Sequence, residues 1–316
     1  MKFNEHAPLA IDNGASLQPG VITAINEARL SASTYSEPLT AYTAGWKDSE
    51  NLDELLEYIA PSIPVARRFE FKKGKNKELF LSDIDDIRAI GSDFKRVEYS
   101  GESVNEKTVN KGLAYRIDRD EDLVSEEQVV SRLMTRLFRN EYRRATTQAQ
   151  AIATNTAKTW NSSANPDDDM GEAVAAFQLA TGTFPNRGLI SLVAWNLRRK
   201  AYAPQNTAGA NAGLSLTPKQ VGELLGLDDL KVTRALFQST ETAKARILTS
   251  HALFFYGESG IMKDDPSSLK RFVTKPEGGG KFRVLRKEEG KFIDIAVEHY
   301  SNTIAAAGSA QQLTIS

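Results

Sequence analysis

The chain has 316 residues, 41% of them apolar and 26% charged, an ordinary globular composition with length for one large domain or about two. Its formal net charge is −1, which excludes a polyanion binder with a basic surface overall but leaves room for local basic patches. There is no cysteine, so disulfides and thiolate metal sites are excluded.

The first residues, MKFNEHAPLAIDNG, hold no apolar run of the kind a secretory signal needs. The most apolar stretch, Ala252-Leu253-Phe254-Phe255-Tyr256, is far too short to span a bilayer. The expectation is a soluble protein made inside the cell, with no membrane partner. Residues 1–49 are weakly patterned apart from a candidate helix over 19–30, and read as an arm ordered by contacts outside itself. Asp48 or Ser49 can cap a helix over 50–59 with Leu52, Leu55, Leu56 and Ile59 on one side, ended by Pro61 and Pro64. Phe69 and Phe71 then alternate with Arg68, Glu70 and Lys72 as in a strand, and Lys73 to Lys77 form a basic tip. Leu113, Tyr115 and Ile117 alternate with Ala114, Arg116 and Asp118, the pattern of a half-buried strand. The segment before it, Val104 to Val109, is polar on both faces and offers little to a core of its own.

The clearest helix is predicted over 125–155. Ser125 and Gln128 fit a capping box, and Val130, Leu133, Leu137, Phe138, Tyr142, Ala145, Ala149 and Ile152 recur at spacings of three and four. A loop over 161–169 and a helix over 170–181 follow. Residues 189–193 read as a buried strand leading into a helix through Trp195, Leu197 and Tyr202, and 203–213 read as a small-residue loop. A short helix over 217–225 opens with Pro218. Strands are expected near 230–237 and 246–256, a turn at 277–280, and a closing strand in which Ile293, Ile295 and Val297 share one face.

No catalytic constellation emerges. Gly257-Glu258-Ser259-Gly260-Ile261 lacks the last glycine of a nucleophile elbow, and Gly280-Lys281 is followed by Phe282 rather than the hydroxyl residue of a phosphate loop. Asp167 and Asp169 open a calcium-like pattern, but Gly171 falls where a ligand belongs. The acidic run Asp118, Asp120, Glu121 and Asp122 precedes a helix N-terminus, where carboxylates are favoured without any metal. His6, His251 and His299 are isolated, and His299 falls on the apolar face of the closing strand as a packed histidine. The expectation is no enzyme, no metal and no cofactor.

Two features stand out. Arg132, Arg136, Arg139 and Arg143, with Arg144 beside them, are spaced four, three and four along one helix face. They form either a solvated face partly paired with Glu141 and Asp122, or a track for phosphates or an acidic partner. Residues 216–227 imitate the first helix and turn of a helix-turn-helix module, whose recognition helix would occupy 228–237, although Val232, Thr233 and Phe237 favour strand.

Longer motifs carry a family likeness. They include Asp85-Asp86-Ile87-Arg88-Ala89-Ile90-Gly91-Ser92-Asp93-Phe94-Lys95-Arg96-Val97-Glu98-Tyr99, Asn110-Lys111-Gly112-Leu113, Arg139-Asn140-Glu141, Ala153-Thr154-Asn155-Thr156 and Lys158-Thr159-Trp160. They continue through residues 202–209, Leu216-Thr217-Pro218, Asp264-Asp265-Pro266-Ser267, Lys270-Arg271-Phe272-Val273, Glu298-His299-Tyr300-Ser301-Asn302 and Leu313-Thr314-Ile315. From about residue 35 onward the sequence resembles the major capsid proteins of tailed bacteriophages, in the group of E-type major capsid proteins. The resemblance implies an α+β fold of the HK97 type. Its parts would be an N-terminal arm (1–49), the start of a peripheral domain (50–66) and an extended β-hairpin loop (67–112). The peripheral domain would continue over 113–186 with a spine helix at 125–155, followed by an axial domain (187–284) and return strands (285–316).

The function so implied is self-assembly, through hexamers and pentamers, into the icosahedral head shell around double-stranded DNA. A separate scaffolding protein, a portal and a cement protein are the implied partners, DNA is bound without sequence preference, and assembly takes place in the host cytoplasm. Lys72, Lys73, Lys75, Asp85, Asp86, Arg88, Lys95, Arg96 and Glu98 of the loop then become intersubunit contacts, where charges of both signs set register between neighbours. Arg132, Arg136, Arg139 and Arg143 become candidates for DNA or scaffold contacts on the inner face. Two alternatives remain open at this point: a bacterial encapsulin-like nanocompartment shell of the same fold, and a helix-turn-helix DNA-binding protein.

Overall fold

The computed structural model describes residues 34–48, 50–73, 90–91, 93, 102–120, 124–205, 207–260, 266–276, 280–306 and 309–316. The first helix, α1 (Glu37–Gly45), has Pro38 in its opening turn and turns Leu39, Thr40 and Thr43 inward. It is a departure from the weakly patterned arm expected over 1–49: residues 36–43 dock on their own chain. Ser36 N–H donates to Val284 O at 3.0 Å, Val284 N–H to Thr40 Oγ1 at 3.1 Å, and Phe282 N–H to Thr43 Oγ1 at 3.3 Å. The candidate helix at 19–30 lies outside the described residues.

In α2 (Leu52–Ile59) Leu52, Leu56 and Ile59 of the expected apolar face are buried and Leu55 is half-buried, and the Asp48 carboxylate accepts from Leu52 N–H at 2.8 Å, satisfying an otherwise orphaned donor. There follow β1 (Ser62–Pro64), β2 (Arg68–Lys73), β3 (Glu102–Lys107) and β4 (Val109–Asp118). The long helix α3 (Glu126–Ala151) starts where Ser125 Oγ accepts from Gln128 N–H at 3.3 Å. All its predicted apolar positions from Val130 to Ala149 are buried. At ~1.5 Å per residue it is ~39 Å long. It ends four residues before the boundary at 155, because residues expected in its last turn form β5 (Ala153–Lys158), paired in parallel with the chain's final strand. Backbone pairing with a distant strand outweighs the local helical pattern there.

The helix α4 (Pro166–Thr181) begins four residues before the expected start, with Pro166 at its first turn, and closes on Gly182 in the left-handed region at φ 73°. After β6 (Arg187–Ser191) comes α5 (Leu192–Tyr202), capped by Ser191 Oγ, which accepts from Ala194 N–H at 3.0 Å. Residues expected to be loop form α6 (Ala208–Ser215), opened by Thr207 as its cap. The next helix, α7 (Pro218–Leu224), carries a complete capping box between Thr217 and Gln220. It is followed by β7 (Asp229–Thr233) and β8 (Leu236–Gln238), not by a recognition helix, which removes the helix-turn-helix reading. Val232 and Thr233, both β-branched, pair in register with Ile190 and Ser191 of β6. The chain continues through β9 (Lys244–Arg246), β10 (His251–Phe255), β11 (Leu269–Thr274), β12 (Arg283–Glu289), β13 (Phe292–Ala305) and β14 (Ala310–Ile315).

Two five-stranded sheets organise these elements. One has the order β5-β14-β10-β6-β7, so it takes strands from both sides of the peripheral–axial boundaries suggested at 187 and 285. Its side chains alternate between two cores. Leu189, Leu253 and Phe255 face the core under α2 and α3, whereas Ile190, Ala252 and Phe254 face the one under α4, α5 and α7. The other sheet is built on β13. Both β12 and β4 pair along residues 292–298 and so lie on opposite edges, while β11 takes residues 300–305 and carries β1 beyond it. Ile293, Ile295, Val297, His299 and Ser301 are buried at alternate positions, which places His299 on the expected face.

Candidate functional site

Three surfaces carry polar groups in arrangements that a solitary core does not require. The first is the root of a two-stranded ribbon, in which β2 and β3 pair antiparallel from Arg68↔Lys107 to Lys73↔Glu102. Only Thr108 separates β3 from β4, so the ribbon continues directly out of the β13 sheet. Thr108 N–H donates to Arg67 O at 3.0 Å and its hydroxyl lies 2.9 Å from that of Thr274. Phe272 of β11 anchors the ribbon, with its ring 4.4 Å from Phe69 and 5.1 Å from Phe71. Val104, opposite Phe71, packs against the same cluster. The root of this segment therefore does have an apolar face, contrary to the expectation of polarity on both sides. Lys72 is exposed and Lys73 half-buried opposite Glu102. Lys75, Asp85, Asp86, Arg88, Lys95, Arg96 and Glu98 lie outside the described residues.

The second surface is a cleft of about 1530 Å³ between α3 and the β7–β9 region. Arg132, Arg136, Arg139 and Arg143 all line it, so the stripe read from the helix period is one wall of a concavity. Arg132, Arg136 and Arg143 are exposed, and Arg139 is half-buried. Arg139 pairs with Glu50, and the Arg143 guanidinium sits 3.9 Å from the centre of the Phe237 ring. Lys231, Arg234 and Lys244 line the same cleft from the other side. Those three are far away in sequence, and no local signal links them to the stripe.

The third is a buried polar cluster under α3. Glu141, expected to pair with the arginine stripe, instead points inward and is only 2% exposed. It pairs with Lys111 of β4 and with Arg144, at 3.1 Å, and accepts from the Ser301 hydroxyl at 2.9 Å. Lys111 Nζ also donates to Ser301 Oγ at 3.0 Å, and His299 Nε2 lies 3.6 Å from the carboxylate. Burial alone would raise the Glu141 carboxyl, but the adjacent imidazole and the Lys111 ammonium outweigh it and hold it well below the ordinary value of 4.5. Burial pushes His299 down from 6.5, so the ring is neutral at neutral pH. A signal for this cluster existed: Glu141 is three residues from Phe138 and four from Leu137 and Ala145, on the buried stripe of α3.

The remaining acidic candidates have structural partners. Lys291 lies 3.5 Å from Asp118 and 3.8 Å from Asp120, while Glu121 and Asp122 fall outside the described residues. Asp167 holds the fully buried Arg198 through two bonds of 2.6 and 2.8 Å, and Asp169 pairs with Lys158 at 2.8 Å. Among the described residues no group of three or more His, Asp or Glu could hold a metal ion, and no helix is long and apolar enough to cross a membrane.

No family model and no curated protein matches the chain. Solved structures do. A phage-related protein from Bordetella bronchiseptica RB50 is similar with a TM-score of 0.63 at 16% identity, over 89% of this chain and 96% of that one. A chain from Gordonia phage Cozz gives 0.52 at 11% identity, over 96% and 98%. A chain of the bacteriophage PhiM1 mature capsid gives 0.50 at 7% identity, over 86% and 89%. The fold is the HK97-type capsid fold. At these identities the likeness is one of backbone architecture and assigns no role to the charged residues of the ribbon, the cleft or the buried cluster. Within the capsid fold, the apparent helix-turn-helix segment is α7 followed by β7, the edge strand paired with β6, and β8, which pairs with β9.

Proposed function

We propose that the protein is the major capsid protein of a tailed phage, assembling through hexamers and pentamers into an icosahedral shell around double-stranded DNA. The observation that carries this reading is the extent of the likeness to capsid architecture: 86% of this chain aligns with 89% of a chain named as part of a mature phage capsid. The ribbon is consistent with that role. It leaves the β13 sheet as two strands with opposite charges at Lys73 and Glu102, and its root is anchored by an aromatic cluster. Such a ribbon presents edges and charges that a neighbouring copy can satisfy. Lys72 and Lys73, with the loop residues beyond them, are the proposed intersubunit contacts. The residues before Ser36 act as the arm, with 36–43 docked on their own chain as its root, and the parts around β6–β10 gather at the symmetry axes.

In this reading the chain works in the virion head rather than as an enzyme. A separate scaffolding protein, a portal and a cement protein would complete its partners, and packaged DNA would be held without sequence preference. The test is sizing and electron microscopy of the purified chain, alone and with a candidate scaffold protein. Closed shells, or rings of five and six copies, are the expected result. A monomer or dimer that persists with the scaffold would overturn the reading. Shells that contain one protein cargo and no genome when isolated from their host would replace it with a nanocompartment.

A further inference from the structure

The cleft beside α3 combines two properties that rarely coincide on a solvated helix face. Its rim is cationic: four arginines on α3 face Lys231, Arg234 and Lys244, while Glu50, Glu54 and Glu241 are its acids, an excess of four positive charges. Its floor is apolar, made of Leu55, Val232, Ala235, Leu236 and Phe237. Leu236 stays 38% exposed there. Among the described residues neither Arg132 nor Arg136 has an ion-pair partner, so the charge nearest one end of the cleft is uncompensated within this part of the chain.

Charge and shape together select the occupant. A DNA duplex would use the cations but has no use for an apolar floor, and base-pair edges are not presented to a wall of guanidinium groups inside a concavity. A peptide helix with one acidic and one apolar side uses both. The arginine wall from Arg132 to Arg143 is ~16 Å long at ~1.5 Å per residue. That span matches about three turns of a docked helix.

We propose that this cleft is the docking site for an acidic amphipathic helix of a separate protein. The proposal names the surface through which an assembly partner of the proposed shell would engage the subunit. It rests on that reading for its biological setting only, since binding to the cleft is measurable on the unassembled chain.

The experiment uses the full chain and three fluorescein-labelled probes. These are a 16-residue peptide with Glu and Leu at helical spacing, a scrambled peptide of identical composition, and a 20-base-pair duplex. Anisotropy titrations at about 0.15 M salt compare wild type with R132Q/R136Q and with L236S, after thermal unfolding has established that both variants fold. The expected result is binding of the amphipathic peptide about tenfold or more tighter than the scrambled one. R132Q/R136Q and L236S should each weaken it by at least about fivefold. Equal affinity for the two peptides, an unchanged affinity in L236S, or tighter binding of the duplex than of the peptide would each overturn the proposal. Shell formation by the same preparation is scored separately, so failure of the docking site and failure of the shell reading give different outcomes.

Discussion

Replacing Glu141 by Gln keeps the size of the side chain and removes one buried charge. In the native chain that carboxylate is 2% exposed, while its partner Lys111 is 19% exposed and half of its bonds go to Ser301. Without the anion, Lys111 keeps a hydroxyl and an amide oxygen but no counter-charge. Breaking a buried pair from one side costs about 3–5 kcal/mol, and the partial exposure of Lys111 favours the lower end, about 3 kcal/mol. That is a large share of the 5–15 kcal/mol typical of a folded protein and corresponds to a melting temperature lower by about 5 °C or more.

The pH dependence gives a second readout of the same variant. Glu141 is held below its ordinary value of 4.5, so the unfolded chain binds the proton first and native stability falls as pH drops through about 4.5. His299 is neutral when buried, so stability also falls as pH drops through 6.5, where the unfolded ring charges. E141Q should make the lower of these two slopes shallower, leaving the share of other paired carboxylates such as Asp294, and should lose melting temperature at pH 7.5. K111M/E141Q, which replaces the pair with apolar and neutral groups, should recover a good part of the loss. The assay is thermal unfolding of the unassembled subunit between pH 4 and 8. An unchanged melting temperature in E141Q, or a double variant as unstable as the sum of the two single changes, would refute the coupling.

Other parts of the fold make equally direct tests. Phe272→Ala removes the ring on which Phe69 and Phe71 rest, and should cost about 3–5 kcal/mol and prevent shell formation by chains that still fold, as read by thermal unfolding and sizing. At Gly280 an added methyl would stand 2.4 Å from Thr40 O and 2.5 Å from Thr43 Oγ1. Gly280→Ala should therefore cost about 1–3 kcal/mol and loosen α1, seen as a red shift of Trp46, which is buried and stacked on Phe138. R132Q/R136Q/R139Q breaks one surface pair, with Glu50, and should leave subunit melting within about 1 kcal/mol of wild type. If the proposed function holds, the same variant should form fewer genome-filled particles, counted by electron microscopy, and normal filled particles would sink the role of the stripe.

Much of the architecture was legible from local pattern, because a buried helix face or strand face repeats at its own period. The apolar stripe of α3 and its Ser125 cap, the face of α2, the start of α7 at Pro218 and the alternation in β13 all follow from neighbours a few residues apart. Family motifs added the fold as a whole. The errors fall where a distant segment decided the outcome. Residues 153–155 would extend the helix if only their neighbours counted, but β14 offers the segment from Ala153 to Lys158 a full row of backbone partners. Residues 36–43 show little amphipathic pattern, yet they dock on β12 and its approach through one backbone bond, from Ser36 N–H, and through the Thr40 and Thr43 hydroxyls, which accept from Val284 and Phe282 N–H, with room left by the missing side chain of Gly280.

The candidate sites divide in the same way. The sequence alone determined that four arginines share a helix face, since a 3.6-residue period requires it. Tertiary structure alone decided that this face is one wall of a cleft, because Leu55 arrives from α2 well before it in the chain, and Lys231, Arg234, Lys244 and the other apolar lining residues from the β7–β9 region well after it. It also decided that Glu141 faces Lys111, His299 and Ser301 rather than the stripe beside it. Periodicity orders the residues of one element around its axis; only packing against other elements says which groups they meet.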